Sequence, residues 1–481
     1  MTVSFSVYIS AIMNTPHEQA ERLFAQSSSA LQASQFHTAE VLLMDALQLE
    51  PDLAQAHANL AWLLDRRGSM SEAVRHYQLA VELQPDNARI HLNFGATLAE
   101  LKLFHAAEAA YQKALQVDPT LPGTWCNLGA LQAQNFRDDE AETSLRKALA
   151  LDPEHQGAHD NLASLLLRKG QYREGWYHLE FRDWYHPAEE RLRCGRWRGQ
   201  SLRDRAVLAM CEGGFADMVQ FCRYVTVLRE QGAAQVDVLS HPDMKPLLQS
   251  LDGVGDVFGF GDDIASSDWD YWVPVLSLPH YVGTHLDNIP AKLPYLQAPA
   301  DRQTFWRQEI NQVAPRPGLR VGLMWRGNPA FENEAQWSLS SLKILAPLWE
   351  VPGVKFLSLQ KGRGEYEAAH LQASQPMANL APSLETFSDM AAAIGQLDLV
   401  ICIDSAVAHL AAALGKPCWL LLPSFSTDWR WLEGRADSPW YPGVMQLWRQ
   451  PSGNDWSAVV LQVRDALHAL GTETPHSTYQ K

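Results

Sequence analysis

The sequence predicts an α + α/β protein, in which an array of paired helices precedes two halves that each alternate strands and helices. Three observations support this fold class. Residues of fixed type recur every 34 positions through the first third of the chain. Short apolar runs then alternate with helical segments in two sets, and a proline-rich stretch at 290–299 separates the sets. The chain of 481 residues is also too long for one core, so several domains are expected.

The composition argues against several functional classes. A formal net charge of −16 disfavours nucleic-acid binding, which needs a basic surface. The six cysteines lack the spacing of metal ligands, so we expect reduced thiols and no metal site. There is no run of 18 apolar residues, and residues 1–13 lack the features of a signal peptide, so no integral membrane segment is expected. These features together predict a cytoplasmic location.

The first third of the chain consists of a 34-residue repeat. Two alanine positions, one larger residue between them and a closing proline all keep this spacing. Small residues let two helices approach closely, and a proline ends the second helix of each pair. The recurring residues are Ala39, Ala73, Ala107 and Ala141; Leu43, Tyr77, Tyr111 and Leu145; Ala46, Ala80, Ala114 and Ala148; and Pro51, Pro85, Pro119 and Pro153.

This pattern resembles the tetratricopeptide repeat. An N-terminal segment at 1–19 precedes repeats at 20–186, with units at 20–53, 54–87, 88–121 and 122–155 and a degenerate unit at 156–186. Such repeats stack into a curved solenoid. We expect a protein or peptide on its concave face; the alternative is that the stack only scaffolds its neighbour. One repeat position holds His57, His91, Trp125 and His159, for which packing is favoured over metal binding.

The remainder of the chain predicts two α/β halves. An arginine-rich connector at 187–204 precedes an N-terminal half at 205–300 and a C-terminal half at 301–475. Alternating strands and helices imply parallel sheets covered on both faces. The predicted strands are 206–211, 235–240, GDVFGF and YWVPVLSLP in the first half, and 319–325, 354–359, 397–404 and 417–423 in the second. A helix is predicted over MVQFCRYVTVLREQG and another near 243–250.

The strand at 397–404 leads directly into a helix of small residues. In open parallel sheets, ligands bind beyond the carboxyl ends of strands, and a helix N-terminus there attracts phosphate. Ser405 can donate its hydroxyl, and His409 lies about one turn into the helix. Ala406 and Ala408 would let an anion approach closely. The alternative, in which Asp404 or Ser405 only caps the helix, fits the spacing equally well.

From about 205 to 470 the chain resembles glycosyltransferase family 9, the ADP-heptosyltransferase-like proteins. The resemblance rests on EGGFADMVQFCRY, LSLP with PYL, GLMWRGNP, LSLQKG and IDSAVAHLAAALGKPCWLLLP…DWRWLEGRADSPWYP. It is closest to the branch in which this domain follows tetratricopeptide repeats. It implies the GT-B fold, a pair of Rossmann-like domains that bind the acceptor mainly through the first and the nucleotide sugar mainly through the second. The nucleotide-diphosphate sugar is then the donor substrate, and no cofactor is implied.

The same resemblance implies roles for particular residues. Asp217 would be the general base that takes a proton from the acceptor hydroxyl, although it could instead cap a helix. Arg326 could neutralise phosphate on the leaving group. The residues implied in binding the donor's diphosphate are Asp404, Ser405, Ala406, Val407, His409, Arg326 and Asn328. Those implied in a sugar or base contact are Trp325, Trp429 and Arg430, with loop packing as the alternative at 429 and 430.

Two departures from the family pattern bear on activity. Ala216 precedes Asp217 where the family has glycine, which adopts more backbone conformations. Ala335 and Trp337 stand where related sequences carry basic residues. A phosphate clamp is therefore missing at that place. Three alternatives follow: Arg326 or Arg430 replaces it, the donor differs, or the domain no longer catalyses transfer.

The sequence leaves two functional hypotheses. The first is an inverting, metal-independent glycosyltransferase whose repeats recruit the acceptor or a partner; the acceptor is a glycan, a lipid-linked saccharide or a protein. The second is a non-catalytic adaptor with a degenerate sugar-nucleotide domain. The triplet Asp268–Trp269–Asp270 spells a D-x-D metal motif of a different glycosyltransferase fold, but it lies away from the donor loop, so no metal is expected there.

Overall fold

A computed structural model describes residues 15–182, 192–264, 269–328, 337–371, 374–424, 427–451 and 455–473. The chain forms two compact units, Met1–Leu162 and Ala163–Lys481. The division falls inside the stretch predicted as the degenerate fifth repeat, and the predicted domain boundaries stay predictions. The α + α/β class is confirmed, because the first unit is helical and the second contains two parallel sheets.

Helix pairs of the predicted period make up the described part of the first unit. The eight recurring alanines are all fully buried, and the proline that closes each repeat lies just beyond the second helix of its pair. The described helices up to the division are α1 (Pro16–Gln32), α2 (Phe36–Leu49), α3 (Ala54–Arg66), α4 (Met70–Leu83), α5 (Ala88–Glu100), α6 (Phe104–Val117), α7 (Pro122–Gln134), α8 (Asp138–Leu151) and α9 (Gln156–Arg168), which contains the division itself.

Two glycines in first helices allow the pairs to pack closely. A Cβ added at Gly95 would lie 2.6 Å from Cε1 of Tyr111, and one at Gly129 would lie 2.7 Å from Cγ of Leu145. Tyr111 and Leu145 are the larger residues of the repeat pattern, and both are buried. Each large side chain in the second helix therefore occupies the space that a side chain on the first helix would need.

A repeated hydrogen bond closes the turn between successive repeats. The ring nitrogen of the residue at the shared position bonds to the carbonyl oxygen of the preceding repeat proline. The pairs are His57 Nε2 with Pro51 at 2.8 Å, His91 Nε2 with Pro85 at 2.8 Å, Trp125 Nε1 with Pro119 at 2.9 Å and His159 Nε2 with Pro153 at 2.9 Å. Tryptophan can only donate here, and the histidines occupy the same geometry. This agrees with packing rather than metal binding.

The N-terminal half of the second unit is a five-stranded sheet with order β4-β3-β2-β5-β1, in which every neighbouring pair is parallel. The strands are β1 (Gly195–Arg196), β2 (Ala206–Met210), β3 (Gln235–Ser240), β4 (Val257–Gly259) and β5 (Tyr271–Pro274). The helices are α10 (Tyr172–Leu179), α11 (Phe215–Phe221), α12 (Tyr224–Glu230), α13 (Lys245–Leu248) and α14 (Leu278–Val282), with 3₁₀ turns at Pro242–Met244 and Val275–Ser277.

The C-terminal half is a six-stranded parallel sheet with order β8-β7-β6-β9-β10-β11. The strands are β6 (Leu319–Met324), β7 (Val354–Ser358), β8 (Met377–Asn379), β9 (Leu399–Ile403), β10 (Cys418–Leu422) and β11 (Met445–Arg449). The helices are α15 (Ala300–Val313), α16 (Glu365–Ala369), α17 (Phe387–Gly395), α18 (Ala406–Ala413) and α19 (Ser457–Glu473), with 3₁₀ turns at Leu342–Glu350, Gly362–Gly364, Ala381–Ser383 and Trp429–Trp431. Both sheets thus reverse strand order beside their first long strand, as in doubly wound folds.

A buried arginine joins the two halves of the second unit. Helix α11 packs against α18, so the two halves share one apolar core. Arg223, which is 3% exposed, donates to the carbonyl oxygens of Gln220, Pro290 and Trp440 and to the hydroxyl of Tyr295, at 2.7–3.0 Å. These acceptors belong to both halves and to the proline-rich stretch between them, so one guanidinium holds all three.

The structure differs from the sequence prediction at five elements. The strand predicted over YWVPVLSLP ends as β5 at Pro274, and its remaining residues form a 3₁₀ turn and the start of α14. The arginine-rich connector contains β1, which pairs with β5. The long helix predicted after β2 is divided into α11 and α12. Strands β8 and β11 were not predicted, and they form the two edges of their sheet.

No helix in the described stretches is long and apolar enough to cross a membrane.

Candidate functional site

The candidate donor loop lies at the switch point of the six-stranded sheet. Strand order reverses between β6 and β9, and ligands of open parallel sheets bind beyond the carboxyl ends of such strands. Asp404 and Ser405 follow β9 directly, whereas Trp325 and Arg326 follow β6. Helix α18 begins at Ala406, so its first backbone N–H groups lie at this edge of the sheet.

The hydroxyl of Ser405 does not cap α18. Ser405 has extended backbone angles, φ −167° and ψ 165°, and its Oγ donates to the carbonyl oxygen of Ile403 at 3.1 Å. Ala406 is half-buried, while the side chain of Val407 is almost fully buried. The sequence left open whether the start of α18 is an anion site or is only capped by a side chain. The structure shows no cap by the Ser405 side chain. The N–H groups of the first turn keep their capacity to bind an anion.

The carboxyl group of Asp404 is held by a tryptophan and has a raised pKa. Its Oδ2 accepts a hydrogen bond from Trp431 Nε1 at 2.7 Å. Burial raises the pKa of Asp404 to about 7, and the negative charge of Asp428 adds to this, while the Trp431 hydrogen bond opposes it. A carboxyl group with such a pKa changes its charge near neutral pH, as groups at functional sites often do.

Asp217 is bound on both of its oxygens. It is the third residue of α11, and its Oδ2 accepts from the backbone N–H of Gly214 at 3.0 Å. Its Oδ1 forms an ion pair with Arg430. Gly213 has a φ of 72°, and a Cβ there would collide with the Asp217 carboxylate, so glycine is required. Ala216 lies within α11, where a glycine's wider conformational range is not used, so this departure from the family pattern has no backbone cost.

Arg430 connects the two halves at the candidate site. It donates to both carboxylate oxygens of Asp428 at 3.1 and 2.9 Å, to Asp217, and to the side-chain oxygen of Gln220. Its guanidinium lies 4.5 Å from the ring centroid of Trp429. Asp217 and Gln220 belong to the N-terminal half, and the other contacts to the C-terminal half. The cation that a donor phosphate would need is therefore already engaged by two carboxylates.

His409 lies beneath the donor loop in an aromatic cluster. It is 2% exposed, its Nδ1 bonds to Tyr441 Oη at 2.7 Å, and its ring centroid is 5.1 Å from that of Trp431. Burial lowers its pKa well below 6.5, and the charges of Arg430 and Arg223 lower it further. The imidazole is neutral at pH 7, so it would not act on a diphosphate as a cation.

The residues after β6 are bound to Glu367. Trp325 is fully buried and donates through Nε1 to Glu367 Oε2 at 3.0 Å. Arg326 donates to Glu367 Oε1 at 2.9 Å and to the carbonyl oxygen of Ser340. Asn328 is exposed at the end of this segment. The ring of Trp325 has no exposed surface on which a sugar or base could stack.

The ring of Trp429 is half-buried among aromatic residues. Its centroid lies 5.3 Å from that of Trp176 and 6.1 Å from that of Trp440, and Arg430 covers it. Trp440 in turn donates through Nε1 to Tyr172 Oη at 2.9 Å. The surroundings of Trp429 are those of a packing residue, and a sugar or base contact there stays a prediction.

Two sequence features fall partly outside the described residues. Asp268 of the D-x-D triplet and Ala335 both lie there. Asp270, the last residue of the triplet, accepts from Arg205 Nη1 at 2.7 Å and from the N–H of Ala206 at 2.9 Å. Within the described part of the chain, no group of three histidine, cysteine or acidic residues could hold a metal ion.

Sequence reasoning did not single out several residues of this site. Trp431 and Gln220 bind candidate residues directly, and Glu367 binds both Trp325 and Arg326. Trp431 lies within the quoted family block, which was the available signal for it. Gln220 and Glu367 are ordinary helix residues, and only their position in the fold reveals their contacts.

Comparison with known proteins relates the two parts of the chain to different families. Residues 336–421 match the model of glycosyltransferase family 9 (heptosyltransferase). Residues 66–102 match a TPR repeat model, and 88–121 and 122–155 each match a tetratricopeptide repeat model. The chain is 26% identical to Protein FlbA of Caulobacter vibrioides over 313 residues, which cover 59% of this chain and 50% of FlbA. It thus spans about half the length of the curated relative it matches.

Two solved structures are each similar to about a third of the chain. One is pilF of Pseudomonas aeruginosa, which is 25% identical, has a TM-score of 0.33, and is matched over 35% of this chain and 77% of that chain. Another is MamA from Desulfovibrio magneticus RS-1, which is 19% identical, has a TM-score of 0.31, and is matched over 34% of this chain and 92% of that chain.

Proposed function

We propose that this chain, which joins tetratricopeptide repeats to a C-terminal glycosyltransferase family 9 domain, is a glycosyltransferase. It transfers a sugar from a nucleotide-diphosphate sugar to an acceptor hydroxyl. The reaction is inverting and needs no metal. One observation carries the proposal: Arg430 joins Asp217 of the N-terminal half to the C-terminal half, in which Asp404 begins the donor loop. A proton acceptor and an anion site from the two halves are thereby brought to one region.

The donor's diphosphate binds at the start of α18. The N–H groups of Ala406 and Val407 and the positive end of the helix provide the site, and the small side chain at 406 lets an oxyanion approach. Diphosphate competes with Asp217 and Asp428 for the guanidinium of Arg430. Charge that develops on the leaving diphosphate is then stabilised by this arginine and by the helix.

Asp217 acts as the general base. In the present arrangement its carboxylate is paired with Arg430, which occupies one oxygen. When the diphosphate takes Arg430, that oxygen becomes available for the proton of the acceptor hydroxyl as the hydroxyl attacks the anomeric carbon. The hydrogen bond from Gly214 holds the other oxygen and fixes the orientation of the carboxylate.

The repeats recruit a protein or peptide, which is the acceptor itself or a partner that delivers it. A glycan, a lipid-linked saccharide and a protein are all compatible with the repeats. We assign the protein to the cytoplasm, because all six cysteines are free thiols, as expected in a reducing compartment.

Thermal unfolding of the full chain with a panel of nucleoside diphosphates and nucleotide sugars tests the donor site. We expect a rise in Tm with at least one member, which names the base. Ser405→Trp, which obstructs the start of α18, should abolish the rise, whereas Ser201→Trp at an exposed serine of the N-terminal half should retain it. An equal rise in both variants would contradict the donor site proposed at α18.

Turnover separates catalysis from binding. We expect the wild-type chain to release nucleoside diphosphate from the donor identified in the first experiment. Asp217→Asn should keep the donor-induced rise in Tm but lower turnover by about 10²–10⁴-fold, the usual contribution of a general base. Full turnover by Asp217→Asn would exclude the proposed role of this residue.

A specific observation favours a second candidate function, a non-catalytic adaptor that senses sugar nucleotides. Arg430 is neutralised by two carboxylates, and Arg326 is paired with Glu367. A site whose cations are already paired binds diphosphate weakly. A donor-induced rise in Tm without any turnover, in wild type and Asp217→Asn alike, would favour this function.

A further inference from the structure

Three adjacent strands of the N-terminal half each lead to an aromatic ring at the same edge of the sheet. His241 directly follows β3, and Phe260 directly follows β4. Phe215 begins α11 and is the fifth residue after the end of β2. Because the strands are parallel and adjacent, their carboxyl ends share one edge. A fourth ring, Phe387, comes from the start of α17 in the C-terminal half.

The four rings form a continuous row, called here the aromatic row. The centroid of Phe260 lies 5.1 Å from that of His241, His241 lies 4.9 Å from Phe215, and Phe215 is stacked 4.8 Å from Phe387 with 17° between the planes. Phe260 is 42% exposed, and the other three rings are partly exposed. The row ends in the C-terminal half, and Asp217 lies two residues beyond Phe215 on α11.

The switch point of the same sheet, where a ligand would ordinarily bind, is filled by the protein itself. This point lies between β2 and β5. Glu212, whose side chain is 1% exposed, accepts from the N–H of Leu276 at 2.8 Å and from Arg182 at 2.8 and 2.9 Å. Arg182 also donates to Ser277 at 2.7 Å. The arginine therefore occupies the crevice, and the open part of this sheet edge is the side of β3 and β4.

We infer that the aromatic row is the acceptor subsite and that it binds a neutral saccharide. This inference rests on the proposed function, because it uses Asp217 as the base. One face of a pyranose ring is made of C–H groups and stacks on aromatic rings, while its hydroxyl groups point outward. Three of the four rings are phenylalanines, which offer contact area without a hydrogen bond. An extended peptide would find no backbone hydrogen-bond partners among the phenylalanine rings.

The charges around the aromatic row select a neutral acceptor. Asp217 follows Phe215 by two residues, and the exposed Asp243 follows His241 by two residues. Asp262 follows Phe260 by two residues, and its carboxylate accepts from Lys245 at 3.2 Å and from the N–H of Gly259 at 2.8 Å. The one lysine in this group is thus paired, and phosphorylated or carboxylated sugars would meet unfavourable negative charge.

Saturation-transfer NMR with the full chain tests the inference. The probes are the methyl glycopyranosides of glucose, galactose, mannose and N-acetylglucosamine. We expect binding of at least one of them, and about fivefold weaker binding in Phe260→Ala, as expected when a stacking contact is lost. Phe260→Trp should restore the affinity. Tyr366→Ala removes a ring that is 73% exposed on α16 and is the matched control, which should bind like the wild type.

The outcomes separate this inference from the donor proposal. Binding unchanged in Phe260→Ala, or no binding of any glycoside at the highest soluble concentration, overturns the inference. Weaker binding of a synthetic serine-containing peptide without any change for glycosides also overturns it, in favour of a protein acceptor surface. Phe260 belongs to the N-terminal half and α18 to the C-terminal half, so the nucleotide-induced rise in Tm should persist in Phe260→Ala. If Phe260→Ala weakens glycoside binding while the wild type shows no rise in Tm with any nucleotide, the acceptor subsite is supported and the donor site is refuted.

Discussion

Replacing Asp404 with asparagine should stabilise the second unit at high pH and leave it unchanged at low pH. The folded chain raises the pKa of Asp404 from 3.8 to about 7, chiefly through burial. The folded state therefore keeps a proton that the unfolded chain releases. In the wild type, this contribution to stability is complete below pH 3.8, declines as the pH rises, and is lost above pH 7. An asparagine at 404 has no such proton to lose, yet its side-chain oxygen can still accept from Trp431.

The magnitude follows from the pKa. Each pKa unit corresponds to about 1.36 kcal/mol, so the rise from 3.8 to about 7 sets an upper limit of about 4 kcal/mol. Asp404 is half-buried and part of the effect comes from Asp428 across partly solvated space. We therefore expect Asp404→Asn to gain about 2 kcal/mol in free energy of unfolding at pH 8 and close to nothing at pH 4.

Urea unfolding followed by tryptophan fluorescence at pH 4, 6 and 8 measures this difference, with wild type and variant compared at each pH so that other titrating groups cancel. The two compact units can unfold in separate transitions, and only the transition of the second unit should shift. Asp252→Asn, at an exposed aspartate of the same unit, is the control and should behave like the wild type at every pH. A variant that is less stable than wild type at pH 8, or equally stabilised at pH 4 and 8, would refute the reasoning.

Two further predictions concern the repeats. Gly129→Val should lower the free energy of unfolding of the first unit by about 1–3 kcal/mol, because the valine side chain would overlap Leu145. Gly157→Ala should be neutral or stabilising by up to about 1 kcal/mol, because the nearest atom to the added Cβ would be 3.6 Å away. Thermal unfolding followed by circular dichroism compares the two variants, and equal effects would contradict the packing argument. His91→Phe should cost about 1 kcal/mol through loss of the hydrogen bond to the Pro85 carbonyl; an unchanged urea midpoint would show that this bond does not contribute to stability.

The parts of the fold that sequence predicted are those whose signal is local. Buried strands such as β9 and β10 are continuous apolar runs. The repeats are indicated by alanines and prolines at a fixed spacing. Strand β8 has three residues and no periodic pattern to detect. Strand β1 lies in an arginine-rich stretch and exists because β5 offers it a paired edge. The division of one predicted helix into α11 and α12 accompanies Arg223, whose acceptors lie as far as 217 residues away.

The candidate site shows the same limit. The ends of β6 and β9 and the start of α18 follow from polar residues after apolar runs, and these were predicted. The pairing of Asp217 with Arg430 spans 213 residues, and nothing in either local stretch indicates the other. His409 was predicted from its place in the first turns of α18, but its burial depends on Tyr441 and Trp431 from a later loop. A residue's position along an element is thus predictable, whereas its partner across the fold is not.

The Arg182–Glu212 pair restricts how this protein can be cut or recombined. A fragment that starts at residue 205, after the arginine-rich connector, would keep Glu212 in its buried position and lose the guanidinium that compensates its charge. Breaking such a pair costs about 3–5 kcal/mol, which is a large share of a domain's stability. A fragment intended for expression should therefore begin before α10, at the division near residue 163. For the same reason, exchange of repeat arrays between related genes would succeed only at junctions N-terminal to α10. The sequence alone would instead suggest the arginine-rich connector as the domain boundary.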